Sequence, residues 1–559
     1  MKLNKLIFGV VFAVMIIAAG TGCRKQQFNI NQNVNSPTDS TITFDAVLPA
    51  AMNATASIIA RQWGPIQNWM SFWARSGTYA PNVIEETYQI TTGFGNGVWN
   101  ACYDNAYDYQ IVAIKSRAAG AGFYEGIARI MKTIDFQILV DVYGDVPYSQ
   151  ALKGSGNPTP AYDKGVDIYN GLMDEIDAGM GLISSAVVSA STPNKSIATH
   201  DIMFQGNKTA WLRFGNTLKL RLLIHAYNVA GINRTARLNA INAEGSGFLQ
   251  PGQDAQINPG YTGIDKPNPF FNQYKTNTDG SGSANDVYYK ANEWGIEYYK
   301  YNGDPRVTST VVPGTGGRIY SAGSGGFVGV AYGLPPISAN AAAVLAGIGP
   351  GIYKTVTSPQ CILSASETYF LLAEARQRGW ALPAAYMSLT PEQLLRTAIE
   401  QNFSYLGVPN AVSAVASYIS FNAPYPDVDI NGVAQGPGGP AGGLYTILSQ
   451  KWFAMNGIAT LEVWTDWRRV AYTEVATNIL QTTAANDAPS TNFVYGDGAG
   501  YTGGPNSRGI GPFRSVSPLI TSSDNIPVRY LYPQTEYNYN AGNVPGGITR
   551  FSKIFWDTN

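Results

Sequence analysis

Trp63, Asn68, Trp69, Trp73, Arg75 and Tyr79 form the densest run of aromatic, amide and guanidinium side chains, with Trp99 and Asn100 further on. Flat aromatic faces stack well on the C–H faces of sugar rings, and neighbouring Asn or Arg groups can hydrogen-bond the hydroxyls. Trp69 and Trp73 are four residues apart and share one face if helical, a stripe that serves equally well as core. The stretch Trp73 to Tyr79 is expected to run from helix into loop, which makes Arg75 and Tyr79 the better exposed candidates. A second cluster holds Tyr288, Tyr289, Trp294, Tyr298, Tyr299 and Tyr301 beside Asn292 and Asn302, and ordinary packing explains it as readily as a site does.

Other chemistries find little material. Only two His residues, His200 and His225, restrict His-based metal sites and His-activated nucleophiles. His225 follows Trp211, Phe214, Leu218 and Leu222 on an apolar helical face and reads as core. Three separated Cys exclude a zinc ribbon or a disulfide-dense scaffold. No carboxylate spacing singles out a glycosidase pair. The reading therefore assigns no catalytic residue, no metal and no cofactor.

Charge is scarce: 13% of residues are Asp, Glu, Lys or Arg, against about 25% in an average soluble domain. The 37 basic and 38 acidic residues nearly cancel, which excludes the basic field that nucleic acid or anionic lipid requires. With 12% aromatic residues, such a surface suits a neutral, hydroxyl-rich ligand.

Lys2 and Lys5 precede an apolar run from Leu6 to Ala19, too short for a bilayer span but suited to a secretory signal. Gly20-Thr21-Gly22-Cys23 then resembles a bacterial lipoprotein signal, with Gly20 where Leu is commonest. The expected organisation is a signal at 1–22, a lipidated Cys23 with a tether over 23–43, and a body over 44–559.

The body divides into a helical half at 44–230, a loop-rich insertion at 231–360, and C-terminal helices and loops at 361–559. Pro49 can open the first helix, and further helices are expected near 97–117 and from Phe123 to a cap at Gly144. Another follows Asp163 as its cap, and one runs through Trp211 to His225. Later, Ser364 and Glu367 have capping-box spacing, and helices are expected at 391–406 and 442–471, the last broken at Asn456-Gly457. Successive amphipathic helices with short joins suggest tetratricopeptide-like hairpins in a mainly α fold with a few short strands.

Four segments in order carry a family resemblance: Asp141-Val142-Tyr143-Gly144-Asp145-Val146-Pro147-Tyr148; Ser366-Glu367-Thr368-Tyr369 leading into Ala373-Glu374-Ala375; Glu462 to Arg469; and Arg529 to Glu536. Asp304-Pro305-Arg306 adds a weaker fifth. Together they resemble the SusD/RagB family of nutrient-binding outer-membrane lipoproteins. The resemblance implies a SusD-like fold, a non-catalytic receptor for a neutral glycan, and an outer-membrane lipid anchor. It also implies a SusC-like TonB-dependent transporter as partner, and a site built partly from loops after the first helix. A peptide receptor of the same architecture and a secreted glycoside hydrolase remain the competing readings.

The motif residues themselves read as architecture. Asp141 and Asp145 stand near a helix C-terminus, which disfavours negative charge, so specific partners are expected. Glu462, Asp466 and Arg469 fall at helical spacing and predict an ion-pair network between packed helices.

Overall fold

The computed structural model describes residues 42–61, 63–312, 327–336, 345–434, 441–470, 515–521 and 524–558, with backbone alone at 294, 297, 301 and 312. The signal and Cys23 lie outside the described residues, as does the tether up to residue 41. Helices dominate, and every sheet among the described residues is a single antiparallel pair of short strands.

Helix α1 (Phe44–Arg61) starts before Pro49, which sits inside it and does not open it. Next come α2 (Gly64–Trp69), strand β1 (Trp73–Arg75), the short α3 (Val83–Glu86), α4 (Asn96–Ala118) and α5 (Gly122–Tyr143). Strands β2 (Val146–Pro147) and β3 (Tyr162–Asp163) pair before α6 (Gly165–Ser185) and α7 (Lys208–His225). Each long helix packs on the one before it, α4 on α5, α5 on α6 and α6 on α7, while α1 lies against α4. These sequential pairs answer to the expected hairpins.

Helix α5 is the centre of this stack; only Gly122, Arg129 and Lys132 along it are not fully buried. It meets α6 at two glycines. A Cβ on Gly126 would stand 2.6 Å from the Gly179 carbonyl oxygen, and one on Gly179 would stand 2.7 Å from that of Gly126. Bare backbone is what lets the helices close to that distance. At the C-terminus Gly144 takes φ +82°, and the Arg529 guanidinium donates to the Tyr143 carbonyl, one of the oxygens a helix end leaves without a partner.

Asp163 does not cap α6. Its carboxylate accepts the Tyr148 and Ser149 amides in the β2–β3 turn, and Asp145 accepts the Gly165 amide at 2.9 Å instead.

The insertion is less irregular than its Gly and Pro content suggests. It holds α8 (Arg234–Glu244), with the Asn233 side chain accepting from Ala236 N and Gly245 at φ +83°, both signals that sequence alone carries. Strand β4 (Ala255–Ile257), α9 (Pro269–Tyr274), α10 (Ala284–Tyr288), β5 (Tyr289–Ala291) and α11 (Glu293–Tyr301) follow. Strand β6 (Val311–Val312) pairs with β7 (Gly347–Ile348), and β8 (Gln360–Leu363) pairs with β4.

In the last third, α12 (Ala365–Gln377) begins at Ser364, whose hydroxyl accepts from Glu367 N at 3.0 Å. Only half of the expected capping box forms, because the Glu367 carboxylate is drawn to Arg221 at 2.7 Å. Helices α13 (Pro391–Leu406), α14 (Ala411–Phe421), α15 (Leu444–Met455) and α16 (Thr460–Arg469) follow, with the break at 456–459 as expected. The short α17 (Gln534–Tyr539) closes the described chain.

The motif residues converge between α5, α7, α12, α15 and α16. His225 lies between Glu462 (2.8 Å) and Asp141 (3.3 Å), and Arg221 joins Glu367 to Glu462. Arg469 grips Glu374 with two bonds of 2.7 Å and also pairs with Asp466, which meets Lys451 at 2.9 Å. Arg468 donates to the Asp141 and Val528 carbonyls and lies 3.6 Å from the Trp464 ring centroid. All these charges are buried. Burial alone would lower the His225 pKa, yet the Glu462 and Asp141 carboxylates raise it to about 9. Cys102 and Cys361 are free, buried thiols.

Candidate functional site

Strands β1 and β5 bring the two aromatic clusters together. Trp73 faces Ala291, Ala74 faces Lys290 and Arg75 faces Tyr289, and the ladder continues with Ser76 N donating to Tyr288 O at 2.8 Å. Residues distant in sequence thus share one edge.

The pairing sorts the candidates by exposure. Trp63, Asn68, Trp69, Trp73, Arg75 and Trp99 are buried. Helix α2 ends at Trp69 and Trp73 opens a strand, so these two never share a helical face. The Trp69 indole stacks on Phe94 with ring centroids 5.8 Å apart and meets Tyr530 and Trp464 of the motifs. Trp73 packs edge-on against Tyr274 at 5.1 Å and Phe270 at 6.2 Å, and Trp99 packs edge-on against Tyr143 at 5.0 Å. Trp63 lines a pocket with Gln67, Ile134 and Arg221. The Trp69, Trp73 and Trp99 indoles are taken up in packing against other rings. Asn100 is exposed on α4, apart from the β1–β5 edge in sequence.

Of the second cluster, Tyr298 and Tyr299 are core, packed on Phe453 at 4.2 and 5.3 Å. The Trp294 side chain lies outside the described residues. Tyr289 is part-exposed but leans on Trp73, with ring centroids 5.4 Å apart.

What remains at the surface is a corner of two rings. Tyr79 and Tyr288, both part-exposed, meet at 5.2 Å with their planes 65° apart. The Tyr79 hydroxyl reaches the Ala284 carbonyl at 3.4 Å. Val83, Ile84 and Val287 stand exposed on the same two segments, and Thr78, Ala80 and Asn82 are exposed beside them.

Arg75 works from below. Its guanidinium donates to the Glu86 carboxylate (2.6 Å) and to the Tyr79 carbonyl (2.8 Å), and also to the Leu334 carbonyl. It is a brace for the loop, and its burial leaves no donor for a ligand. Glu85, beside Glu86, holds Asn68 at 2.6 Å and Asn82 at 3.1 Å, and Asn82 in turn caps α3. Sequence reasoning missed both glutamates, although Asn82 and Glu85 have the spacing of an N-terminal cap box.

Chemically, the corner can stack on C–H faces of a neutral ring and offer hydroxyl, amide and backbone groups to its polar edges. Among the described residues no cluster of three His, Cys, Asp or Glu side chains could hold a metal ion. No described helix is long and apolar enough to cross a membrane.

Comparison with known proteins places this architecture. A chitin-binding SusD homologue from Flavobacterium johnsoniae superposes with a TM-score of 0.66 at 20% identity, over 92% of this chain and 99% of that one. A SusD-like protein from Bacteroides thetaiotaomicron gives 0.63 at 18% identity, over 92% and 99%. A SusD homologue from Bacteroides fragilis gives 0.63 at 20% identity, over the same shares. These likenesses establish the fold. No curated protein matches by sequence. The family model described as starch-binding and associating with the outer membrane matches residues 33–496. That match spans most of the chain and takes in the first three motifs: the chain belongs to the SusD-like family.

Proposed function

We propose that the chain is a non-catalytic receptor that captures a neutral oligosaccharide on the Tyr79–Tyr288 corner and passes it to a SusC-like, TonB-dependent transporter. The observation that carries this reading is the corner itself: two part-exposed rings, one on the loop after β1 and one at the end of α10 before β5, which the β1–β5 pair holds in register. The family's starch-binding description and the chitin-binding neighbour support a glycan ligand. In this reading Cys23 carries the lipid that tethers the body to the outer membrane, and the motif carboxylates Glu374 and Glu462 do no chemistry because buried cations already occupy them.

Calorimetry of the protein lacking residues 1–23, titrated with maltoheptaose, chitohexaose and a panel of neutral polysaccharides and peptides, tests it. Glycan binding without cleavage supports the reading. Binding of peptides alone overturns its carbohydrate part, and product release from a polysaccharide overturns the non-catalytic part.

A further inference from the structure

The two rings of the corner are flanked by aliphatic side chains that the core does not take up. Val83 and Ile84 are exposed on α3, whose other two residues, Glu85 and Glu86, are buried, and Val287 is exposed on α10. Contacts tie these residues to the rings. Ala284, Val287 and Tyr288 fall at i, i+3 and i+4 on α10 and so share a face, and the Tyr79 hydroxyl donates to the Ala284 carbonyl at 3.4 Å. The Tyr288 hydroxyl lies beside the side chain of Asn82, which caps α3 and precedes Val83. Residues 76–84 carry no charge. On the facing segment Asp286 is taken by Lys275 at 2.8 Å, and Lys290 Nζ donates to the Asp286 carbonyl at 3.5 Å. Exposed apolar surface gathered in one place and rimmed by polar groups is a feature of ligand sites, whereas scattered single residues are not.

The polar groups beside the rings are already engaged with one another. Tyr79 gives its hydroxyl proton to Ala284, Asn82 Nδ2 donates to Glu85 at 3.1 Å, and the Ser76 and Thr78 hydroxyls bond each other at 2.9 Å. What they keep for a ligand is chiefly lone pairs. The corner therefore offers ring faces, acceptors and aliphatic surface, and its complement is a C–H face, an N–H donor and a methyl group. A 2-acetamido sugar carries all three; a plain hexose has no methyl group.

We propose that the corner selects a 2-acetamido sugar, stacking its ring on the tyrosines and burying the acetamido methyl against the aliphatic side chains of α3 and α10. This rests on the glycan-receptor reading and names the sugar class within it. Chitohexaose and cellohexaose share linkage and ring configuration and differ at C2, acetamido in one and hydroxyl in the other. In calorimetry on the protein lacking residues 1–23, chitohexaose should bind about fourfold or more tighter, the effect of burying one methyl group. Val83→Thr/Ile84→Thr/Val287→Thr, which puts hydroxyls at three exposed positions, should bring that ratio to within about twofold of one and leave cellohexaose affinity unchanged. Tyr79→Ala should weaken both glycans alike. Cellohexaose or maltoheptaose binding as tightly as chitohexaose, or a ratio that survives in the folded triple variant, overturns the acetamido proposal and leaves the receptor reading standing. Should the triple variant not fold, the wild-type ratio decides. If no glycan binds, the receptor reading falls together with the proposal.

Discussion

The interior around Glu462 and the surface around Tyr79 and Tyr288 are built from opposite materials. In the first, charges close on one another: Arg221, His225, Lys451 and Arg469 face Asp141, Glu367, Glu374, Glu462 and Asp466, all buried. In the second, two rings are part-exposed and meet each other, and the Arg75 guanidinium below them is buried on Glu86. A chain with so few charges places many of them where solvent cannot reach. Strong sequence motifs here mark the frame, and the surface on which we propose recognition is made of residues with no motif at all.

Breaking a charge in the frame should have the largest effect. Arg469→Leu leaves Glu374 and Asp466 buried without their shared guanidinium. Such a loss costs about 3–5 kcal/mol, which urea or guanidinium unfolding would register. A neutral result would mean that the network is dispensable, and the contrast between the regions would weaken. Next in size is pH. Because the His225 pKa is raised to about 9, its contribution is full below about 6.5 and is lost as pH rises through about 9. The difference should be up to about 3 kcal/mol by unfolding at each pH, and His225→Gln should remove most of that slope. Gly126→Leu, which drives a side chain into the Gly179 carbonyl and Ile183, should cost about 1–3 kcal/mol of stability without touching the corner. Smallest in stability, yet large in binding, are the rings: Tyr79→Ala and Tyr288→Ala should each leave stability within about 0.5 kcal/mol. Glycan affinity should fall about tenfold for each.

The same contrast explains what the sequence made legible. The helices around α5 and the break at 456–459 could be read because apolar spacing and caps are local signals. The paired motif residues could be read because helical spacing puts Glu462, Asp466 and Arg469 on one face. Pro49 and Asp163 misled for a physical reason: a helix can begin before a proline, and Asp163 was claimed by a tight turn 14 residues upstream of it in the chain. The corner was half legible. Tyr79 and Tyr288 stood out by type in separate clusters, but only the β1–β5 pairing, across more than two hundred residues, shows that the two rings meet and that Trp73 faces the core. Pairing at that range leaves no mark in local spacing.

The most direct test is calorimetry and unfolding, side by side, on wild-type protein and a Tyr79→Ala/Tyr288→Ala double variant, with the glycan that the wild type binds most tightly. The prediction is loss of measurable binding with an unchanged unfolding midpoint. Binding that survives in a folded double variant would contradict the placement of recognition on this corner.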